Sequence, residues 1–201
     1  MKRQLLESGL FGNATFIRYP THATGIPQDL LVRYPVRPQS LSAREIAVFI
    51  NHVVILERAL NETDAPFLVL ESDVEFAAPP PEFARQLENA VGQALARAFH
   101  VMFIGSCLGM HVPGTQNATE LALYPMRNGR CSDSLVWSRA GAERFLEFSR
   151  TRGSISEPVD WFLNTWLRDS ENAVCLWAEP SLTAQGSMNG RFRSTMRDEF
   201  T

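Results

Sequence analysis

Ten consecutive residues, Phe67-Leu68-Val69-Leu70-Glu71-Ser72-Asp73-Val74-Glu75-Phe76, constrain the fold of this chain more than any other stretch. Four apolar residues run directly into three acids spaced two apart. The apolar part has the length and composition of a strand buried on both faces, as in a parallel sheet covered by helices. The acids then fall at the strand's carboxyl end, where open α/β sheets place their ligands. Carboxylates crowded there repel one another and resist desolvation unless a cation joins them. Glu71 and Asp73 therefore suit a hard divalent ion, Mg²⁺ or Mn²⁺. The plainer reading is that the acids lead the chain back into water. On these ten residues both readings stay open.

Around this stretch the sequence alternates helix and strand. Ser42 as cap and Glu45 three residues later form a capping box, and the helix they start is expected to run to about Leu60. Ile46, Phe49, Ile50, Val53, Leu56 and Leu60 share one face of it. Glu45 and His52 lie on nearly the same side, two turns apart. The capping box is by itself a sufficient role for Glu45, and a hydrogen-bonded place at the core edge is one for His52. Pro79-Pro80-Pro81 is expected to break any regular element, with a helix following from Glu82 to about Ala98. His100 to Gly105 reads as the next buried strand. Ser106 to Thr119 reads as a loop that can wall a site, with His111 exposed on it. Leu121 to Tyr124 and Ser134 to Trp137 are short strands by the same reading. Ser138 caps a helix through about Arg150, and Pro158 is the first residue of another that carries Asp160 in its first turn. Ala173 to Ala178 is the last strand. At the front, residues 2–8 read as a helix, 16–19 as a strand and 20–40 as a long surface connection. The pattern predicts a single α/β domain over residues 1–201 with a mainly parallel sheet.

Composition narrows the partners. A chain of 201 residues that is 45% hydrophobic can build one good core. A net charge of -3 gives no sign of a nucleic-acid-binding surface. The three cysteines, Cys107, Cys131 and Cys175, fit neither a zinc motif nor a full disulfide framework. No apolar run approaches a membrane span, and the first ten residues lack a signal-peptide core. The chain is therefore expected to be soluble. Its compartment stays open between the cytoplasm and, with a longer N-terminus, a secretory lumen. Only in the latter do the sequons at Asn13, Asn61 and Asn117 matter.

Asp160 has two readings. It is an acid favourably placed at a helix start, or a general base that takes a proton from a hydroxyl. Arg191 and Arg193 are solvated charges or, beside a diphosphate, neutralise a leaving group. No Ser/His/Asp order, Cys/His pair, Walker loop or Gly-x-Gly-x-x-Gly motif can be picked out.

The order of the motifs resembles glycosyltransferase family 25, the lipooligosaccharide and collagen galactosyltransferases. Leu41-Ser42-Ala43-Arg44-Glu45-Ile46-Ala47-Val48-Phe49-Ile50-Asn51-His52 stands where that family has Leu-Ser-x-Gly-Glu-Ile-Gly-Cys-x-Leu-Ser-His. Leu70-Glu71-Ser72-Asp73 follows in place of a strand ending in Glu-Asp-Asp, then Ile104-Gly105 for Leu-Gly. Ser138-Arg139-Ala140-Gly141-Ala142 and Pro158-Val159-Asp160 match the next two motifs, and Glu179-Pro180 through Gln185 to Ser194 the closing segment. The resemblance covers about residues 41–195. It implies a GT-A sandwich and transfer of a sugar, typically galactose, from a UDP-galactose or UDP-glucose donor to a glycan or glycoprotein acceptor. It implies Mn²⁺ or Mg²⁺ on Glu71 and Asp73, and a donor diphosphate near Ser72, Gly105, Arg191, Arg193 and Ser194. Asp160 becomes the candidate base, and Glu45 and His52 belong to the motif helix. Arg44 replaces a glycine of the family and Ser72 its middle acid. The family opens on a strand resembling Val-Ile-Asn-Leu and an Arg-rich helix, and that strand is expected to be missing here. Two readings follow, a metal-dependent inverting transferase or a non-catalytic binding module that keeps the fold. A metal-dependent phosphoryl-transfer enzyme would use the same acids but leaves the helix motif unexplained.

Overall fold

The computed structural model describes residues 7, 9–10, 14–15, 25–37, 39–106 and 110–187. The expected helix over 2–8 (Glu7 excepted) and the strand over 16–19 lie outside the described residues, as do Arg191, Arg193 and Ser194. The elements in order are α1 (Gln28–Arg33), α2 (Ala43–Glu62), β1 (Phe67–Leu70), β2 (Val74–Phe76), α3 (Pro80–Leu95), β3 (Val101–Phe103) and β4 (Gly105–Ser106). Then come β5 (Ala122–Met126), β6 (Ser134–Trp137), α4 (Arg139–Thr151), α5 (Val159–Asp169), β7 (Cys175–Glu179) and β8 (Thr183–Gln185).

The class is mixed α/β. Five strands form one sheet in the order β1-β6-β3-β7-β5, and a second sheet holds β2-β8-β4. Alternation along the three inner strands divides the core in two. Val101, Phe103, Leu135, Trp137, Cys175 and Trp177 face the side covered by α2, α4 and α5. Met102, Val136, Leu176 and Ala178 face the side covered by α3, through Phe83, Leu87, Ala90 and Ala94. Rings hold the thicker layer together: Phe145 and Trp166 meet edge to face at 5.4 Å, and Phe49 and Phe162 at 5.1 Å.

Several expectations need correction. The sheet is mixed, not mainly parallel. Only β3–β7 and β4–β8 pair in parallel, while β1–β6, β3–β6, β5–β7 and β2–β8 are antiparallel. β1 is an edge strand, with only Val69 buried, so its apolar run is not a central strand covered on both faces. Its direction was legible all the same. β1 and β3 both oppose β6, and β3 runs with β7, so β1, β3 and β7 point the same way. Pro79-Pro80-Pro81 does not break regular structure. Pro79 stands just before α3, and Pro80 and Pro81 occupy its first turn, where missing N–H groups cost nothing. The short helix α1 interrupts the expected connection over 20–40. Pro158 stands just outside α5 instead of opening it. The buried strand expected over His100–Gly105 is shorter, and the chain leaves it at Gly105 for the second sheet.

Candidate active site at the carboxyl end of the sheet

β1, β3 and β7 end on the same side of the sheet, and β6, running the other way, begins there. The chain therefore brings Glu71 (after β1), Gly105 (after β3) and Asp133 (before β6) to one place. The backbone fixes the spacing: Glu71 N–H donates to the Asp133 carbonyl at 2.8 Å. From the opposite layer, α2 and α5 present Glu45, His52 and Asp160. Of these groups Glu45, Glu71, Asp133 and Asp160 line a cleft of about 330 Å³ with Ser132 and Trp161, and Gln185 of β8 forms part of its wall, while His52 and Gly105 are not in its lining. A larger hollow of about 760 Å³ lies beside β1, but its lining is largely apolar and of the expected site residues includes only Ser72. Chemistry favours the smaller cleft.

Glu45 keeps its capping role. Ser42 N–H donates to Glu45 Oε2 at 2.7 Å, and Glu45 N–H donates back to Ser42 Oγ at 3.2 Å. The same side chain lines the cleft, so the two roles coexist. His52 is buried and points Nε2 at Glu71 Oε1, 3.7 Å away. Ser132 Oγ donates to that same Glu71 oxygen at 3.3 Å. Asp160 is the second residue of α5. Burial raises its carboxyl pKa, backbone N–H groups at the helix start oppose the rise, Glu71 adds to it and His52 offsets it. Glu71 and His52 thus both act on the Asp160 carboxyl from the facing layer.

Asp73, the other expected metal ligand, is not among the residues that line the cleft; its carbonyl accepts Gly186 N–H at 2.8 Å. Gly105 has a structural reason: a Cβ there would sit 2.4 Å from Asp133 Oδ2. Asp133 is the residue the sequence reading missed. It is 1% exposed, its Oδ2 accepts Ser134 Oγ–H at 3.0 Å, and its Oδ1 has no partner among the described residues. Burial pushes its carboxyl up to about 7; the Ser134 hydroxyl opposes this, and Glu71 and Asp73 add to it. His111, read as exposed, instead meets the buried Glu179 through Nδ1 at 3.0 Å, and Glu179 also forms a fully buried ion pair with Arg130. Cys131, on the cleft wall, is disulfide-bonded, while Cys175 is free and buried.

Among the described residues no three His, Cys, Asp or Glu side chains are gathered as a metal cage. Mg²⁺ and Mn²⁺ do not need one, since such ions are held by one or two carboxylates plus substrate phosphates. Glu71 and Asp73, two hard oxygen donors, fit that pattern. No described helix is long and apolar enough to cross a membrane. No protein-family model matches the chain, and no curated protein does either.

Proposed function

We propose that this chain is an inverting glycosyltransferase of GT-A type, moving a sugar, galactose by preference, from a UDP-sugar to a hydroxyl of a glycan or hydroxylysine-type acceptor. One observation carries the reading. Glu45, Glu71 and Asp160, from three separated segments, line one cleft at the carboxyl end of the sheet, and the buried His52 sits behind Glu71. Each of these was picked out from a motif, and a chance alignment of motifs gives no reason for them to meet. Glu71 and Asp73 would hold Mn²⁺ or Mg²⁺, which supplies positive charge for the departing diphosphate.

The remaining chemistry belongs to the protein's own side chains. The acceptor oxygen attacks the anomeric carbon as the bond from that carbon to the diphosphate oxygen breaks, and UDP leaves with the bonding electrons. The acceptor proton passes to a carboxylate. Asp160 lines the cleft, and burial moves its pKa up toward a useful range for a base. Glu71 and His52 set its electrostatic surroundings from the facing layer.

The test is Asp160→Asn, assayed for transfer from UDP-galactose and UDP-glucose to simple glycosides and hydroxylysine peptides with Mn²⁺ present. Turnover should fall by about a hundredfold to ten-thousandfold while the melting temperature changes little. Full activity in the variant would exclude Asp160 as the base. A wild-type chain that binds acceptor but transfers nothing would leave a binding module in place of the enzyme.

A further inference from the structure

The mechanism asks Glu71 to present a carboxylate oxygen to a cation, and it gives Ser132 no part. Yet the Glu71 carboxylate is held unevenly. Ser132 Oγ donates to its Oε1 at 3.3 Å, and His52 Nε2 closes on that same oxygen at 3.7 Å. Oε2 accepts no hydrogen bond among the described residues. Two groups from different segments thus converge on one oxygen and leave the other for a further partner. Of the two, only Ser132 is within hydrogen-bonding distance.

The supports are buried and the supported group is open. Ser132 is 6% exposed and His52 5%, whereas 31% of the Glu71 side chain is exposed. Ser132 stands between Cys131, which is disulfide-bonded, and Asp133, whose carbonyl accepts the Glu71 N–H at 2.8 Å. The two residues before β6 therefore grip Glu71 twice, Asp133 at its backbone and Ser132 at its side chain. Glu71 and Ser132 both line the cleft. An open carboxylate oriented by a hydrogen bond from a buried neighbour is how proteins aim a metal ligand.

We propose that Ser132 is a positioning residue: it engages Oε1, leaves Glu71 to bind through Oε2 alone, and so favours Mn²⁺ or Mg²⁺ over Ca²⁺. The inference rests on the proposed function only in taking Glu71 as the carboxylate that meets the metal. Its chemistry is that of coordination number. The small ions demand octahedral geometry, with one oxygen from each carboxylate, while Ca²⁺ is larger and readily takes both. Without the hydroxyl, the Glu71 carboxylate is free to turn and chelate, which suits Ca²⁺ and not the smaller ions.

The test measures ion binding to the full chain with UDP as the probe. Electron paramagnetic resonance follows free Mn²⁺, and Ca²⁺ is titrated in competition. Wild type should bind Mn²⁺ with UDP in preference to Ca²⁺ with UDP. Ser132→Ala should weaken Mn²⁺ binding by about 10–100-fold and Ca²⁺ binding by much less, so the preference shrinks. Ser132→Thr keeps the hydroxyl and should keep both the affinity and the preference. A residue that only stabilised the fold would move both ions alike, so the ratio of the two decides even if the threonine packs poorly. Unchanged Mn²⁺ binding in Ser132→Ala, or an equal loss of both ions, would overturn the proposal. No Mn²⁺ binding by wild type would overturn it and the metal-dependent reading together. Transfer from UDP-galactose, assayed on the same samples, separates the remaining cases. A wild type that transfers, with a Ser132→Ala variant that binds both ions normally, sinks this inference and spares the transferase. A selective loss of Mn²⁺ in a chain that transfers nothing does the reverse.

Discussion

At the scale of single residues, Asp133 shows what the sequence conceals. Asp133 stands just before the short strand read over Ser134 to Trp137, and nothing in its spacing marks the acid as buried. Glu45 and His52, by contrast, were legible because helical periodicity puts them on one side of α2, and Asp160 because Pro158 marks a helix start. The buried acid makes a pH prediction with a definite sign. Its carboxyl titrates at about 7 in the folded chain, against an ordinary value of 3.8. Between those values the folded state holds a proton that the unfolded state has lost, so stability falls as pH rises from about 4 to about 7 and then levels off. Glu71, Asp73 and Arg130 face this carboxyl, and all three remain in Asp133→Asn, so the difference between the two proteins isolates position 133. Urea denaturation at pH 4.5, 6 and 8 should show the Asn variant gaining on wild type by about 3 kcal/mol across the range. A difference that stays flat with pH would mean Asp133 ionises normally.

At the scale of elements, helix starts were read well and strand neighbours were not. The capping box at Ser42 and Glu45 and the cap at Ser138 are local chemistry, complete within four residues, and both are present in the structure. Pairing partners are not local: nothing in Ser134–Trp137 says that it inserts between β1 and β3. Glycines divide in the same way. Gly141, in the first turn of α4, lies against the start of β3, and a Cβ there would come within 2.0 Å of the His100 carbonyl oxygen. That neighbour is backbone and is already held, since Ser138 N–H donates to the same oxygen at 3.1 Å. At Gly92, inside α3, a Cβ would meet nothing within 4 Å. Gly141→Ala should therefore cost about 1–3 kcal/mol through forced separation of helix and sheet. Gly92→Ala should stabilise by about 0.5–1 kcal/mol, through backbone entropy alone. Thermal melts of the two variants decide the matter, and opposite signs are the expected result.

At the scale of the whole molecule, the alternation of helix and strand correctly gave an α/β chain, and it misjudged the sheet because it could not see insertion. β1, β3 and β7 run one way as expected, while β5 and β6 run against them. The insertion has a functional consequence: an antiparallel strand begins where its neighbours end, so the residue before β6 joins the site. The same end of the sheet is tied together by Glu179, the last residue of β7. Its carboxylate pairs with Arg130, accepts Val112 N–H at 3.1 Å and meets His111, so one buried side chain joins β7, the approach to β6 and the loop before β5. Arg130 in turn donates to the Gly105 carbonyl at 2.9 Å and to Ser181 Oγ at 2.7 Å, with its guanidinium 4.2 Å from the Trp177 ring centroid. Both charged side chains are fully buried. Burial lowers the pKa of Arg130, and Glu179 pushes it back. Removing one charge strands the other in a place water does not reach, which typically costs about 3–5 kcal/mol. Glu179→Gln should cost that much, since the amide keeps the shape and loses the charge. Replacing both partners, as Arg130→Met with Glu179→Leu, strands nothing and should recover a large part of the loss. Chemical denaturation of the two single variants and the double variant measures the coupling. A single-variant cost below about 1 kcal/mol would show that this pair is not what holds the carboxyl end of the sheet together.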